Sequence, residues 1–225
     1  GRTVADGTFT AAVPQFTYTG KLGVNGAPFS ATFQKANTPA VAFASPASVG
    51  GPERLANVSA RGLAGSDSSA LIAGFVVSGT APKDVLIRGV GPALTGFGVA
   101  GALANPRLKL FKGNTSLLEN DDWGLGGFAT QIASTTARVG GFPFAAGSQD
   151  AALIARLDPG SYSAQVTGAT SATGVALVEV YDAADTLNAT RLINLSTRGE
   201  VGTGGDILIV GVVVTGNAPK KILLR

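Results

Sequence analysis

The stretch Leu117–Gly124, LLENDDWG, is the one acidic cluster of the chain. Glu119, Asn120, Asp121 and Asp122 offer oxygen ligands of the hard kind that Ca2+ prefers, and that ion takes roughly six to eight of them. The spacing is not that of an EF-hand loop, so further ligands would have to come from elsewhere, with Asp150 and Asp158 as the candidates. The competing reading is a polar turn whose Asp side chains cap backbone amides, and it is the preferred one. Trp123, the single Trp, is either a stacking platform for a sugar ring or a plug at the end of a sheet. A lone Trp beside a Gly-rich turn favours the plug. GVGPALTGFG (Gly89–Gly98) invites comparison with a nucleotide-binding loop, but the third Gly is misplaced, Pro92 interrupts it and no helix with a later acidic residue follows. The residues Asn57, Asn114, Asn188 and Asn194 stand in N-x-S/T sequons, which are potential sites of surface glycosylation.

His, Cys and Met are absent. Without His or Cys there is no Ser-His-Asp triad, no thiolate zinc site and no Cys nucleophile, and no carboxylates stand at a recognisable acid–base spacing. The chain is therefore expected not to be an enzyme, and to carry no cofactor unless Ca2+. The absence of an initiator Met suggests a processed product or a piece of a longer chain.

The elements that must position these residues read as β. The chain has 225 residues, of which 45% are hydrophobic and only 14% charged, so it can build a core and is not a disordered tail. Its 32 Gly are scattered among Val, Ile, Leu and Thr without a three-residue period, as in a turn-rich β protein. The net charge of +3 is spread thinly, with no basic and aromatic cluster for nucleic acid. The longest apolar runs, such as ILIVGVVV (Ile207–Val214), are too short for a membrane-spanning helix.

An internal repeat organises the chain. Arg54–Arg88 aligns without gaps on Arg191–Arg225, 137 residues later, and 18 of the 35 positions are identical. The division expected from it is an N-terminal β segment and linker (1–53), a complete repeat (54–190) and the first strands of a second (191–225). In the complete repeat the strand candidates are Leu71–Val77, Val85–Val90, Arg107–Phe111, Ala151–Leu157, Ser161–Thr167 and Gly174–Tyr181. Only Ala129–Val139 suits a short helix. LDPGSY (Leu157–Tyr162) reads as a tight hairpin turn, Pro159 presetting φ and Gly160 supplying a positive one. Tyr162, Ala164 and Val166 alternate with polar residues, so one face of that strand is buried. GVALVEVYD (Gly174–Asp182) is apolar almost throughout and reads as a central strand. In the first segment, Gln15–Ala36 suggests two or three strands with a hairpin turn at Asn25-Gly26, and Ala44–Glu53 a linker. The fold class is all-β: a β-sandwich of jelly-roll type, with a small additional β region built from the N-terminal segment and the C-terminal half-repeat.

The order of LKLF (Leu108–Phe111), NDD (Asn120–Asp122), LDPGSY and VEVYD (Val178–Asp182) resembles the bacterial pre-peptidase C-terminal β-sandwich family. The whole repeat is similar to one found in large secreted and cell-surface proteins of environmental bacteria. The match covers Arg54–Asp182 and, as a partial copy, Arg191–Arg225. It implies an extracellular, accessory, non-catalytic protein.

The half-repeat sets the functional expectation. DILIVGVVV (Asp206–Val214) and KKILLR (Lys220–Arg225 region) read as two aliphatic strands without the later strands that would cover them. Left bare they form an aggregating edge. Ile207, Ile209, Val212, Val214, Ile222 and Leu224 are then the residues expected to pair with residues 1–53 or with a neighbouring chain. Pairing in trans is strand addition, and a head-to-tail contact that does not close makes a filament. The expected partner is the chain itself, as a homopolymer, with an adhesive module that holds surface glycans or protein as the alternative. No nucleic acid and no membrane span are expected.

Overall fold

In the computed structural model, residues 53–184 and 189–224 are described in full, and the N-terminal region is described as five strands by backbone. The chain divides into two compact units, Gly1–Arg54 with Val214–Arg225, and Leu55–Val213.

In the first unit, β1 (Arg2–Thr3), β2 (Thr8–Val13), β3 (Phe16–Lys21), β4 (Ser30–Lys35) and β5 (Val41–Ala44) form an antiparallel sheet in chain order. Phe16 pairs with Lys35 and Lys21 with Ser30, as two strands around a connection should. The Asn25-Gly26 turn and most of the Ala44–Glu53 linker lie outside the described residues.

The second unit is all-β, with a nearly closed antiparallel sheet. Its elements are β6 (Arg54–Ala64), β7 (Leu71–Ser78), β8 (Lys83–Val90), β9 (Pro106–Lys112), β10 (Thr115–Asn120), α1 (Ala129–Arg138), β11 (Ala151–Leu157), β12 (Gly160–Gly168), β13 (Gly174–Asp182), β14 (Arg191–Arg198) and β15 (Ile209–Thr215). All six strand candidates and the short helix appear. The spatial order is β10-β9-β12-β7-β14-β6-β13-β8-β11, with β15 on β6. The sheet folds over on itself, so β8 faces β9 and β12. A Cβ added at Gly89 would lie 3.2 Å from Val166 Cγ2 and 3.3 Å from Leu108 Cβ, so the absence of a side chain there lets the two layers approach.

The core follows the alternation in the sequence. Leu71, Ala73, Phe75 and Val77 of β7, Tyr162, Ala164 and Val166 of β12, and Val178 and Val180 of β13 are all buried. Phe75 stacks on Tyr162 at 5.7 Å between ring centres. The apolar run of β13 is covered on both faces, because α1 forms a further layer: Ile132 joins Leu86, Ala152 and Tyr181 in one cluster.

One turn differs from expectation. Pro159-Gly160 does not close a hairpin: β11 pairs with β8, and β12 with β7 and β9. The turn carries the chain from one layer to the other. Its local chemistry is as read, with Gly160 at φ +156° and the Tyr162 hydroxyl donating to the Asp158 carbonyl at 2.8 Å.

Candidate functional site

The acidic stretch is tied into the fold by its own side chains. Glu119, at the end of β10, faces Arg107 at 3.1 Å and Lys109 at 3.8 Å. Asn120 Nδ2 donates to the Asp122 carbonyl at 3.0 Å, and its Oδ1 accepts from Ala152 N at 3.0 Å. Asn120 is thus a strap between the edge strands β10 and β11. Asp150, fully buried, accepts from Gly91 N at 2.8 Å and Ala93 N at 3.3 Å, and from the Ser148 hydroxyl. It caps the 3-10 turn Pro92–Phe97, which is what GVGPALTGFG builds. Asp158 contributes its backbone carbonyl to Tyr162, as above. Among the described residues, no three acidic groups stand together as a cation site; Asn120 is engaged in its own turn and Asp150 in the turn at Gly91–Ala93.

A buried ionic layer lies between the sheet and α1. The Arg88 guanidinium is held between the rings of Phe142 and Phe144, 4.2 and 4.1 Å from their centres. Its Nη1 donates to the Phe142 carbonyl at 2.9 Å, and Nε stands 3.3 Å from Glu179 Oε2. The Tyr181 hydroxyl donates to Glu179 Oε1 at 2.8 Å. Burial, and then the Glu179 charge, push the Tyr181 phenol far above its ordinary range. Trp123 is half-buried, 5.9 Å from Phe144. It packs on the core and also lines an apolar cleft of about 180 Å³ with Ile132, Thr136 and Phe144.

The feature with most consequence is the seam between the two copies of the repeat. β14, from the second copy, closes the first copy's sandwich by pairing with β7 from Arg191↔Ser78 to Arg198↔Ile72. β15, the second copy's equivalent of β7, pairs with β6, the first copy's equivalent of β14. The exchange is reciprocal residue by residue. Ser196 packs against Gly74, and its counterpart Ser59 packs against Gly211, where an added Cβ would lie 2.8 Å from Ser59 Oγ. Gly62 faces Leu208 and Gly199 faces Leu71, so that a Cβ added at either glycine would lie 2.9 Å from the leucine Cδ1. Repeat-equivalent residues also meet each other, Leu55 with Leu192 and Leu63 with Glu200. Side chains lock the seam. Thr197 Oγ1 donates to the Ile72 carbonyl at 3.0 Å, Thr190 Oγ1 to the Ala81 carbonyl at 3.0 Å, and Ser69 Oγ to Glu200 Oε1 at 2.7 Å.

Of the residues expected to carry assembly, Ile209, Val212 and Val214 lie in β15 and are half-buried, and half-buried Ile207 precedes it. Ile222 and Leu224 lie in no strand, and Leu224 is 79% exposed. This corrects the reading of KKILLR as a strand. Its counterpart β8 is a strand because β13 and β11 hold it on both edges, and among the described residues Lys221–Leu224 have no such partners. Sequence reasoning missed both β6 and β14, although the alignment marks the two as equivalent. Of the sequons, Asn57 is buried, Asn114 and Asn194 are exposed, and Asn188 lies outside the described residues.

No family model, curated protein or solved structure matches this chain. Among the described residues no helix is long and apolar enough to cross a membrane.

Proposed function

We propose that this chain is a structural, non-catalytic component of an extracellular fibre or surface assembly, in which neighbouring units are joined head to tail by β-strand addition. The observation that supports the reading is the seam. One copy of the repeat completes its sandwich with the first strand of the next, over seven residue pairs and in a register that recurs on both sides. A junction of this kind works equally between repeats of one chain and between chains, because main-chain hydrogen bonds and alternate side-chain pockets carry it. Ile207, Ile209, Val212 and Val214, each half-buried, contribute on the order of 5 kcal/mol gross, toward the roughly 4–15 kcal/mol that association costs. The ladder and the Ser–Gly fit add to it.

The test is electron microscopy and sedimentation of the purified chain with and without residues 191–225. The reading expects elongated species from the full chain and none from the truncated one. A monodisperse full-length monomer at high concentration would sink it. The apolar cleft beside Trp123 favours a second reading, an adhesive module, which expects glycan binding that is lost in Trp123→Ala.

A further inference from the structure

β6 and β14 are the same strand in two copies, but they are not equally clothed. β6 carries β13 on one edge, with Ser59 opposite Glu179, and β15 on the other, with Ser59 against Gly211. β14 carries β7 on the edge equivalent to that of β15. On its second edge it meets Leu55 through Leu192 alone. From Asn194 to Arg198 that edge has no strand partner among the described residues. Burial records the difference position by position. Val58, Ala60 and Asn57 are buried in β6, whereas their counterparts Leu195 and Thr197 are half-buried and Asn194 is exposed.

We propose that this second edge of β14 is an acceptor for a strand of the β13 type, an extended segment of sequence GVALVEVYD or close to it, supplied by a further repeat of this kind. The pairing of β13 on β6 states the register. Val178, Val180 and Tyr181 stand opposite Ala60, Val58 and Asn57, so in the acceptor the same residues of the incoming strand stand opposite Thr197, Leu195 and Asn194. The chemistry fits: the incoming strand is apolar on both faces, and β14 offers Leu195 with an open row of peptide groups. The inference deepens the assembly reading and rests on it, since it names the partner and the edge.

The experiment exploits the absence of Cys from the chain. Full-length chain carrying Thr197→Cys is mixed with a synthetic GVALVEVYD peptide in which the residue equivalent to Val178 is Cys activated as its thiopyridyl mixed disulfide, so that the protein thiolate attacks and thiopyridine leaves, and the exchange is followed by mass. The expected result is near-complete labelling of Thr197→Cys and background labelling of an Asp158→Cys control. A peptide with Asp in place of the residue equivalent to Val180 leaves the protein untouched and should bind more weakly by over about tenfold, because it buries a charge. Labelling of Ala60→Cys at the same rate would mean invasion of the β6 edge and would overturn the proposal, as would labelling indifferent to register or none at all. Peptide capture without any elongated species from the full chain would sink the fibre reading and leave the acceptor edge standing. Elongated species without capture would do the reverse.

Discussion

Lys83 and Asp182 form a contact of 2.7 Å with both side chains only 1% exposed. Two charges so deep are held by each other, and removing one strands the other. Lys83→Met should therefore lower stability by about 3–5 kcal/mol, whereas Lys83→Met with Asp182→Leu should lower it far less; chemical denaturation of the two variants measures the gap. Tyr181 gives the chain an alkaline limit. Its folded phenol holds its proton above the range in which the unfolded one lets go, about pH 10. Below that value both states are protonated and stability is flat. Above it the folded state binds more protons than the unfolded one, so stability falls as pH rises. Denaturation midpoints from neutral to alkaline pH should show that fall, and Tyr181→Phe should flatten it. The ionic contacts were not legible in the sequence, because their partners are far apart: Lys83 and Asp182 are separated by 99 positions and Arg88 and Phe142 by 54. By contrast Asn120 and Asp122 were legible as turn formers, since their contact is local.

Strands with a clear period were readable because burial imposes it: β7 alternates buried and half-buried along its whole length. β6 was not, because most of its buried positions, Asn57, Ala60, Gly62 and Ala64, carry no large aliphatic side chain; β10 and β14 were not, for the same reason inverted. Every residue of β10 except the last is exposed, and most of β14 is, so no apolar rhythm marks them. Turn chemistry told where the chain bends at Pro159-Gly160, but not which layer receives the next strand, which is decided by long-range pairing. The Ser–Gly fit is the element-scale device that fixes the exchange. Gly74→Ala places a methyl group against Ser196 and should cost about 1–3 kcal/mol by overpacking. Ser196→Gly in the same chain should recover part of that loss, and Gly211→Ala with Ser59→Gly should behave alike. Thermal melts of the four variants test both sides of the seam.

At the scale of the molecule, the repeat was legible and the intertwining was not. Alignment reveals that two segments are equivalent, but it does not reveal that they trade partners. The consequence for stability is specific. A chain cut after Thr190 loses β14 and bares the β7 edge beside Phe75 and Val77. It should melt at lower temperature and aggregate on warming, as light scattering during a thermal scan would register.

The seam also has a mechanical side. β14 runs antiparallel along β7 through seven residue pairs, so a pull along their common length loads all those hydrogen bonds at once instead of peeling them one by one. In an assembly of the proposed kind, tension directed along that length would be shared across the ladder. Such an assembly would stretch at its loops while its junctions hold.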